Sequence, residues 1–159
     1  IVSIASTIRE GSISLFNFSY NLQAVPISII GVSYSVAAFP MLAHAFSSGQ
    51  IENFKKQVIS ASRQIIFWSL PIIFLFIVLR AQIVRVILGS GQFSWNDTKL
   101  TAASLALFSL SVLAQSLIVL FVRGYYAAGK TRRPLVVNLV FTALEIAFAF
   151  LFLHLFRQW

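Results

Sequence analysis

Two runs of small and polar residues recur at helical spacing, and they carry most of what this chain could do chemically. The first is Ser14, Asn17, Asn21, Ala24, Ser28, Gly31, Ser35 and Ala38, at steps of 3, 4, 3, 4, 3, 4 and 3, which places them on one face of a regular α-helix. Phe16, Phe18, Ile27, Ile29, Ile30, Val36 and Phe39 fall elsewhere. Such a face has two readings. Small residues let helix backbones approach closely while Ser or Asn bond across the gap, or else the face lines a wet cavity. Ala24, Ser28, Gly31 and Ser35 suit packing; Asn17 and Asn21 suit a cavity. The second run is Asn138, Thr142, Glu145 and Ala149, at steps of 4, 3 and 4.

Other chemistries lack their residues. There is no Cys, hence no disulfide framework and no thiolate metal site. His44 and His154 stand far apart without ligand-spaced partners, so both are expected to be packing or interfacial residues and no metal site is expected. No paired carboxylates, nucleophile with a base, or phosphate-cradling glycine loop is present. Neither an enzyme nor a cofactor is expected.

The elements that must position these residues are written in the charges. Of 159 residues 58% are apolar and 10% charged, against about 25% charged in a soluble domain. Uncharged runs cover residues 11–51, 64–79 and 100–122, and 134–156 is broken only by Glu145. About 20 apolar residues cross roughly 30 Å of hydrocarbon, so four crossings fit: 12–47, 52–88, 97–127 and 132–156. The fold class expected is an all-α integral membrane bundle. A net charge of +8 raises nucleic acid as a partner, but the 16 Phe lie inside the apolar runs rather than among the cations, so none is expected. The chain starts without Met inside an apolar run, 1–8, that lacks the basic start and cleavage site of a signal peptide. Residues 1–9 read as the tail of a helix, and the whole as an internal piece of a larger membrane protein.

At 1.5 Å per residue, residues 12–47 would span about 54 Å, longer than a bilayer with its headgroups. Pro26, which lacks an N–H and crowds the preceding turn, is the place to bend; it serves either as a working hinge or as a tolerated kink. Ser48-Gly49-Gln50 is a helix stop, Asn96 or Asp97 is placed to cap the next helix, and residues 129–133 form a tight basic loop. Arg80 and Arg85 follow the 64–79 run and are expected to snorkel. Lys55, Lys56, Arg63, Arg123, Lys130, Arg132 and Arg133 lie on one side, Arg9, Arg80, Arg85, Lys99 and Arg157 on the other. Seven against five places the 52–63 and 123–133 loops in the cytoplasm by the positive-inside rule. Glu145 lies 11 residues past Pro134, about 16 Å along the axis, near mid-membrane. An acid there costs about 2.5–3.5 kcal/mol on insertion scales. It either couples transport to a cation or proton, or hydrogen-bonds Gln115 or Ser111 on the neighbouring helix.

The motifs match a known family. Gly11-Ser12-Ile13-Ser14-x-x-Asn17, then Leu22-x-x-x-Pro26, Gly31, Ala38-Phe39-Pro40-x-Leu42 and Phe46 resemble the MurJ (MviN) family of lipid II flippases. So do Gly91-x-Phe93-x-x-x-Asp97-Thr98-x-x-Thr101-Ala102 and Arg123-x-x-Tyr126-Ala127-x-x-x-Thr131-x-x-Pro134. The resemblance covers essentially the whole chain. It implies a multi-pass protein of the bacterial cytoplasmic membrane in the multidrug, oligosaccharidyl-lipid and polysaccharide exporter superfamily, with 14 helices in two six-helix lobes plus two. This chain would run from the end of helix seven through helix eleven, most of the second lobe. The implied partners are an undecaprenyl-diphosphate-linked peptidoglycan precursor, moved outward by alternating access through a cationic cavity, together with membrane lipids and the remaining helices. The implied cavity residues are Asn17, Asn21 and Ser28, with Arg63 and Arg123 at the cytoplasmic mouth, where positive-inside anchoring is the competing role. Two departures stand out: members commonly carry an arginine five residues before the helix-eight proline, where this chain has Asn21, and Lys130 and Arg133 stand where an acid and a Thr are usual. These leave two alternatives open, an exporter of another polyprenyl-linked saccharide and a non-transporting scaffold of the same fold.

Overall fold

The computed structural model describes residues 12–88 and 95–156. The expected helix tail 1–9 lies outside them. The described residues are helical throughout, joined by short turns: α1 (Ser12–Pro26), a wide π-helical turn (Ile27–Val32), α2 (Ser33–Ser47), α3 (Ile51–Val78), α4 (Arg80–Leu88), α5 (Trp95–Ala127) and α6 (Arg132–Phe156). Four segments are long and apolar enough to cross a membrane: Phe16–Ser47, Ile51–Val78, Thr98–Ala127 and Arg132–Leu151. The fold is an all-α polytopic bundle.

Two glycines end helices in the same way. Gly49 and Gly129 adopt φ of 71° and 67°. At each, the glycine N–H bonds back to Phe46 or Tyr126 at 3.0 Å, and the next N–H reaches Ala45 or Tyr125 at 2.9 Å. This paired pattern satisfies the last carbonyls of α2 and α5 and turns the chain into α3 and α6 at one end of the bundle. At the other end the 52–88 stretch, expected as one helix, divides at Leu79. Arg80 follows at once, and α4 turns an apolar side, Ala81, Ile83 and Val84, onto Ala102 and Leu105 of α5. Helix α5 is described from Trp95, and the side chains of Asn96 and Asp97, the expected caps, lie outside the described residues.

α5 is the centre of the bundle and packs against α1, the wide turn, α2, α3 and α4, whereas α6 touches it only weakly. Its buried side is Thr98, Thr101, Leu105, Ser109, Val112, Ser116 and Leu120, a column at steps of 3 and 4 dominated by small or hydroxylated residues. At its lower half, Leu120 joins Ile30, Ala38, Leu42, Ala61 and Ile65 in a core shared by three helices and the turn. The tightest point is Gly31. A Cβ there would stand 2.7 Å from Ser116 Cα and 2.8 Å from Ser116 Cβ, and since backbone cannot swing aside, only glycine fits.

Overpacking a filled site costs about 1–3 kcal/mol. Gly31→Ala in the full-length protein should therefore lower its melting temperature in detergent, whereas Ser116→Ala, which removes a buried hydroxyl without a partner, should leave it unchanged or raised. Equal behaviour of the two variants would refute this close approach.

Candidate functional site

The wide turn decides which side chains are packed and which are open. Pro26 has φ −63° and ψ −33°, ordinary helical values, but it offers no N–H to the preceding turn. Directly after it the backbone widens over Ile27–Val32. In lipid, carbonyls loosened this way need other donors, and three serines donate to carbonyls in or beside the turn. Ser28 Oγ donates to the Ala24 carbonyl at 2.8 Å, Ser33 Oγ to the Ser28 carbonyl at 3.3 Å, and Ser35 Oγ to the Gly31 carbonyl.

A wide turn takes up one residue more than an α-turn, which rotates everything downstream by about 100°. The polar stripe running from Ser14 to Ala38 is therefore not one face, which corrects the reading from constant periodicity. Gly31, Ser35 and Ala38 are buried in the seam, while Asn17, Asn21 and Ser28 are exposed. Upstream of the turn the seam is made instead by Ser19, Gln23 and Pro26. Ser19 Oγ donates to the Thr101 carbonyl at 3.1 Å. Gln23, 1% exposed, has its Oε1 3.1 Å from Ser111 Oγ, whose single proton it shares with the Phe108 carbonyl at 2.8 Å, and Ser111 Oγ in turn accepts from Gln115 Nε2 at 2.7 Å. Sequence reasoning passed over Gln23. The signal was available: Ser19, Gln23 and Pro26 also step by 4 and 3, but they compete with the longer stripe.

Asn17, Asn21 and Ser28 thus share one side of α1 and the turn, roughly opposite the seam, and none of the described helices covers it. Their amides and hydroxyl can donate to and accept from phosphate or sugar oxygens but bring no charge. The two arginines do not join them. Tyr20 stacks edge-on to Phe108 with centroids 6.4 Å apart, which sets Asn21 level with Phe108. Arg123 lies 15 residues further along α5, about 22 Å away along the axis. There it lines an open cleft of about 460 Å³ with Phe39, Val122 and Tyr126. Arg63 is exposed on α3.

Glu145 is exposed on α6, as are Asn138 and Thr142. The bond to Gln115 or Ser111 is not made: Glu145 is exposed and α6 barely touches α5. Among the described residues no three His, Cys, Asp or Glu side chains come together in a group that could hold a metal.

Four spans, one of them an interrupted helix with an uncovered polar face that carries no charge, define a polytopic α-helical membrane protein. The chain belongs to the lipid II flippase MurJ family, whose model matches residues 1–158. It is 30% identical over 155 residues to a probable lipid II flippase MurJ of Bdellovibrio bacteriovorus, covering 98% of this chain and 29% of that protein. Proteins described in the same way from Rickettsia prowazekii and Thermotoga maritima are 34% identical over 137 residues and 30% over 146. Those alignments cover 86% and 92% of this chain and 27% and 30% of the respective proteins. The chain thus spans less than a third of the length of these curated relatives. No solved structure matches it significantly. Family and spans together place it in the bacterial cytoplasmic membrane as a multi-pass protein.

The uncovered face can be mapped directly because the chain contains no Cys. In a cysteine-free full-length protein, Asn17→Cys, Asn21→Cys and Ser28→Cys should react with a membrane-impermeant thiol reagent at least about tenfold faster than Ser19→Cys and Gln23→Cys, as expected when thiolate exposure governs rate. Uniform labelling of all five would remove the division made by the wide turn.

Proposed function

We propose that this chain is part of a transporter that moves the undecaprenyl-diphosphate-linked peptidoglycan precursor outward across the cytoplasmic membrane by alternating access. The observation that carries this reading is the family match over essentially the whole chain. No covalent bond changes, so neither a catalytic residue nor a cofactor is required. Asn17, Asn21 and Ser28 line the headgroup cavity, and their open position supports that role. Pro26 with the wide turn after it is the hinge: hydroxyl-bonded carbonyls can exchange partners at less cost than a regular α-helical ladder can be broken. Arg63 and Arg123 draw the anionic headgroup to the cytoplasmic mouth, and Glu145 couples movement to a cation or proton.

The departure at Asn21 shapes the mechanism. An amide donates hydrogen bonds but cannot neutralise a diphosphate as a guanidinium does. Compensating charge then comes from elsewhere in the full-length protein, or the cargo is another polyprenyl-linked saccharide. Alternating access also needs the partner repeat, so the transporting unit is the longer protein.

The test is rescue of cells depleted of their own lipid II flippase by the full-length protein. Growth should be restored; failure at normal membrane abundance counts against the reading, and rescue only with Asn21→Arg assigns a different natural cargo. Glu145→Gln should blunt the pH or salt response of transport by roughly tenfold, within the usual range of coupling free energies. An unaltered response would eliminate the coupling role.

A further inference from the structure

The end of the bundle opposite the 52–63 and 123–133 loops holds a second polar feature that the transport reading does not use. Segment 80–99 carries Arg80, Arg85 and Lys99 against one acid, Asp97. The Arg85 guanidinium stands 5.3 Å from the Trp95 ring centroid and the Lys99 ammonium 5.8 Å, so one half-exposed indole gathers two cations. Among the described residues no carboxylate pairs with Arg80, Arg85 or Lys99. Between α4 and α5 lies an open cleft of about 560 Å³, with Arg80, Trp95 and Lys99 at its mouth and Ala103, Ala106 and Leu107 along its wall. From Lys99 to Leu107 the wall descends about 12 Å along the helix and becomes wholly apolar, its alanines leaving the groove open.

The cleft lies where the hydrocarbon begins, since the span of α3 ends at Val78 and that of α5 starts at Thr98. Tryptophan and snorkelling cations belong to that depth. We propose that this cleft binds an anionic phospholipid, its phosphate held between Arg80 and Lys99 and the head of one acyl chain laid along Ala103, Ala106 and Leu107. Charge complementarity selects the phosphate, and the change from cationic mouth to apolar wall selects a lipid over a free anion. None of the lining residues comes from α1, so the cleft is separate from the uncovered Asn17–Asn21 side and is filled by bilayer lipid rather than cargo.

Native mass spectrometry of the full-length protein, titrated in detergent with phosphatidylglycerol, tests this. Phosphatidylglycerol should be retained and phosphatidylcholine should not. With each interfacial cation contributing about 1 kcal/mol toward anionic lipid, Arg80→Gln combined with Lys99→Gln should weaken retention about thirtyfold. Ala106→Trp, which keeps both charges and fills the groove, should weaken it as well, while inorganic phosphate should not compete. Unchanged retention in either variant, equal retention of phosphatidylcholine, or full displacement by inorganic phosphate would each overturn the assignment. So would displacement of phosphatidylglycerol by an equimolar polyprenyl diphosphate, which would make the cleft a cargo site.

Discussion

Everything in this bundle depends on how closely one helix pair can approach. Between apolar helices in lipid there is no hydrophobic drive to associate, because lipid tails are as apolar as the side chains they would replace. Association then rests on dense contact and a few bonds across the seam. Gly31 against Ser116 brings two backbones together where no Cβ fits, and the small column on α5 continues the approach. The bonds from Ser19 to Thr101 and from Ser111 to Gln23 contribute about 0.6 kcal/mol each by the average measured for such pairs. They fix the register of the seam; the dispersion contacts of the close approach hold it.

The wide turn is what makes that seam compatible with an uncovered polar face. A regular helix would carry Asn17, Asn21, Ser28, Gly31 and Ser35 on one side, so the seam would have had to bury the two asparagines or leave the glycine unpacked. Taking up one residue at Ile27–Val32 lets the upstream half present Ser19 and Gln23 to α5 while the downstream half presents Gly31 and Ser35. Pro26 initiates the irregularity by withholding a donor, and the serines around it make it tolerable in a medium without water. Packing and polarity, the two readings of the stripe, are thus assigned to its two halves.

This also explains what could be read from the residues alone. The spans were legible because a bilayer fixes both length and the exclusion of charge, and the helix ends at Gly49 and Gly129 because a left-handed cap has few substitutes. The stripe was legible as a pattern and misread as a surface, since counting residues assumes a constant 100° per residue and a single wide turn breaks that assumption. The division at Leu79 was hidden for a related reason: Leu79 itself is unremarkable, and only the arrival of Arg80 at the edge of the apolar run marks the place. Gln23 needed partners on another helix, 88 residues away at Ser111, before its position had meaning. Local periodicity specifies elements well, but which face of each element is used is settled by contacts between elements distant in sequence.

Glu145 follows from the same logic on a helix that the seam does not reach. α6 lies within a segment fit to span the membrane, yet its sides are almost wholly uncovered by α1–α5 and its carboxyl group is open. Left facing hydrocarbon, the acid would cost about 2.5–3.5 kcal/mol, several times what one bond across the α1–α5 seam contributes. Ser111 and Gln115 of α5 do not relieve it: they bond each other, and α6 barely touches α5. The relief must come from beyond the packed helices, as a cation, a proton or a donor on another element. The side of α6 that carries Asn138, Thr142 and Glu145 is therefore the one along which this bundle must meet something polar.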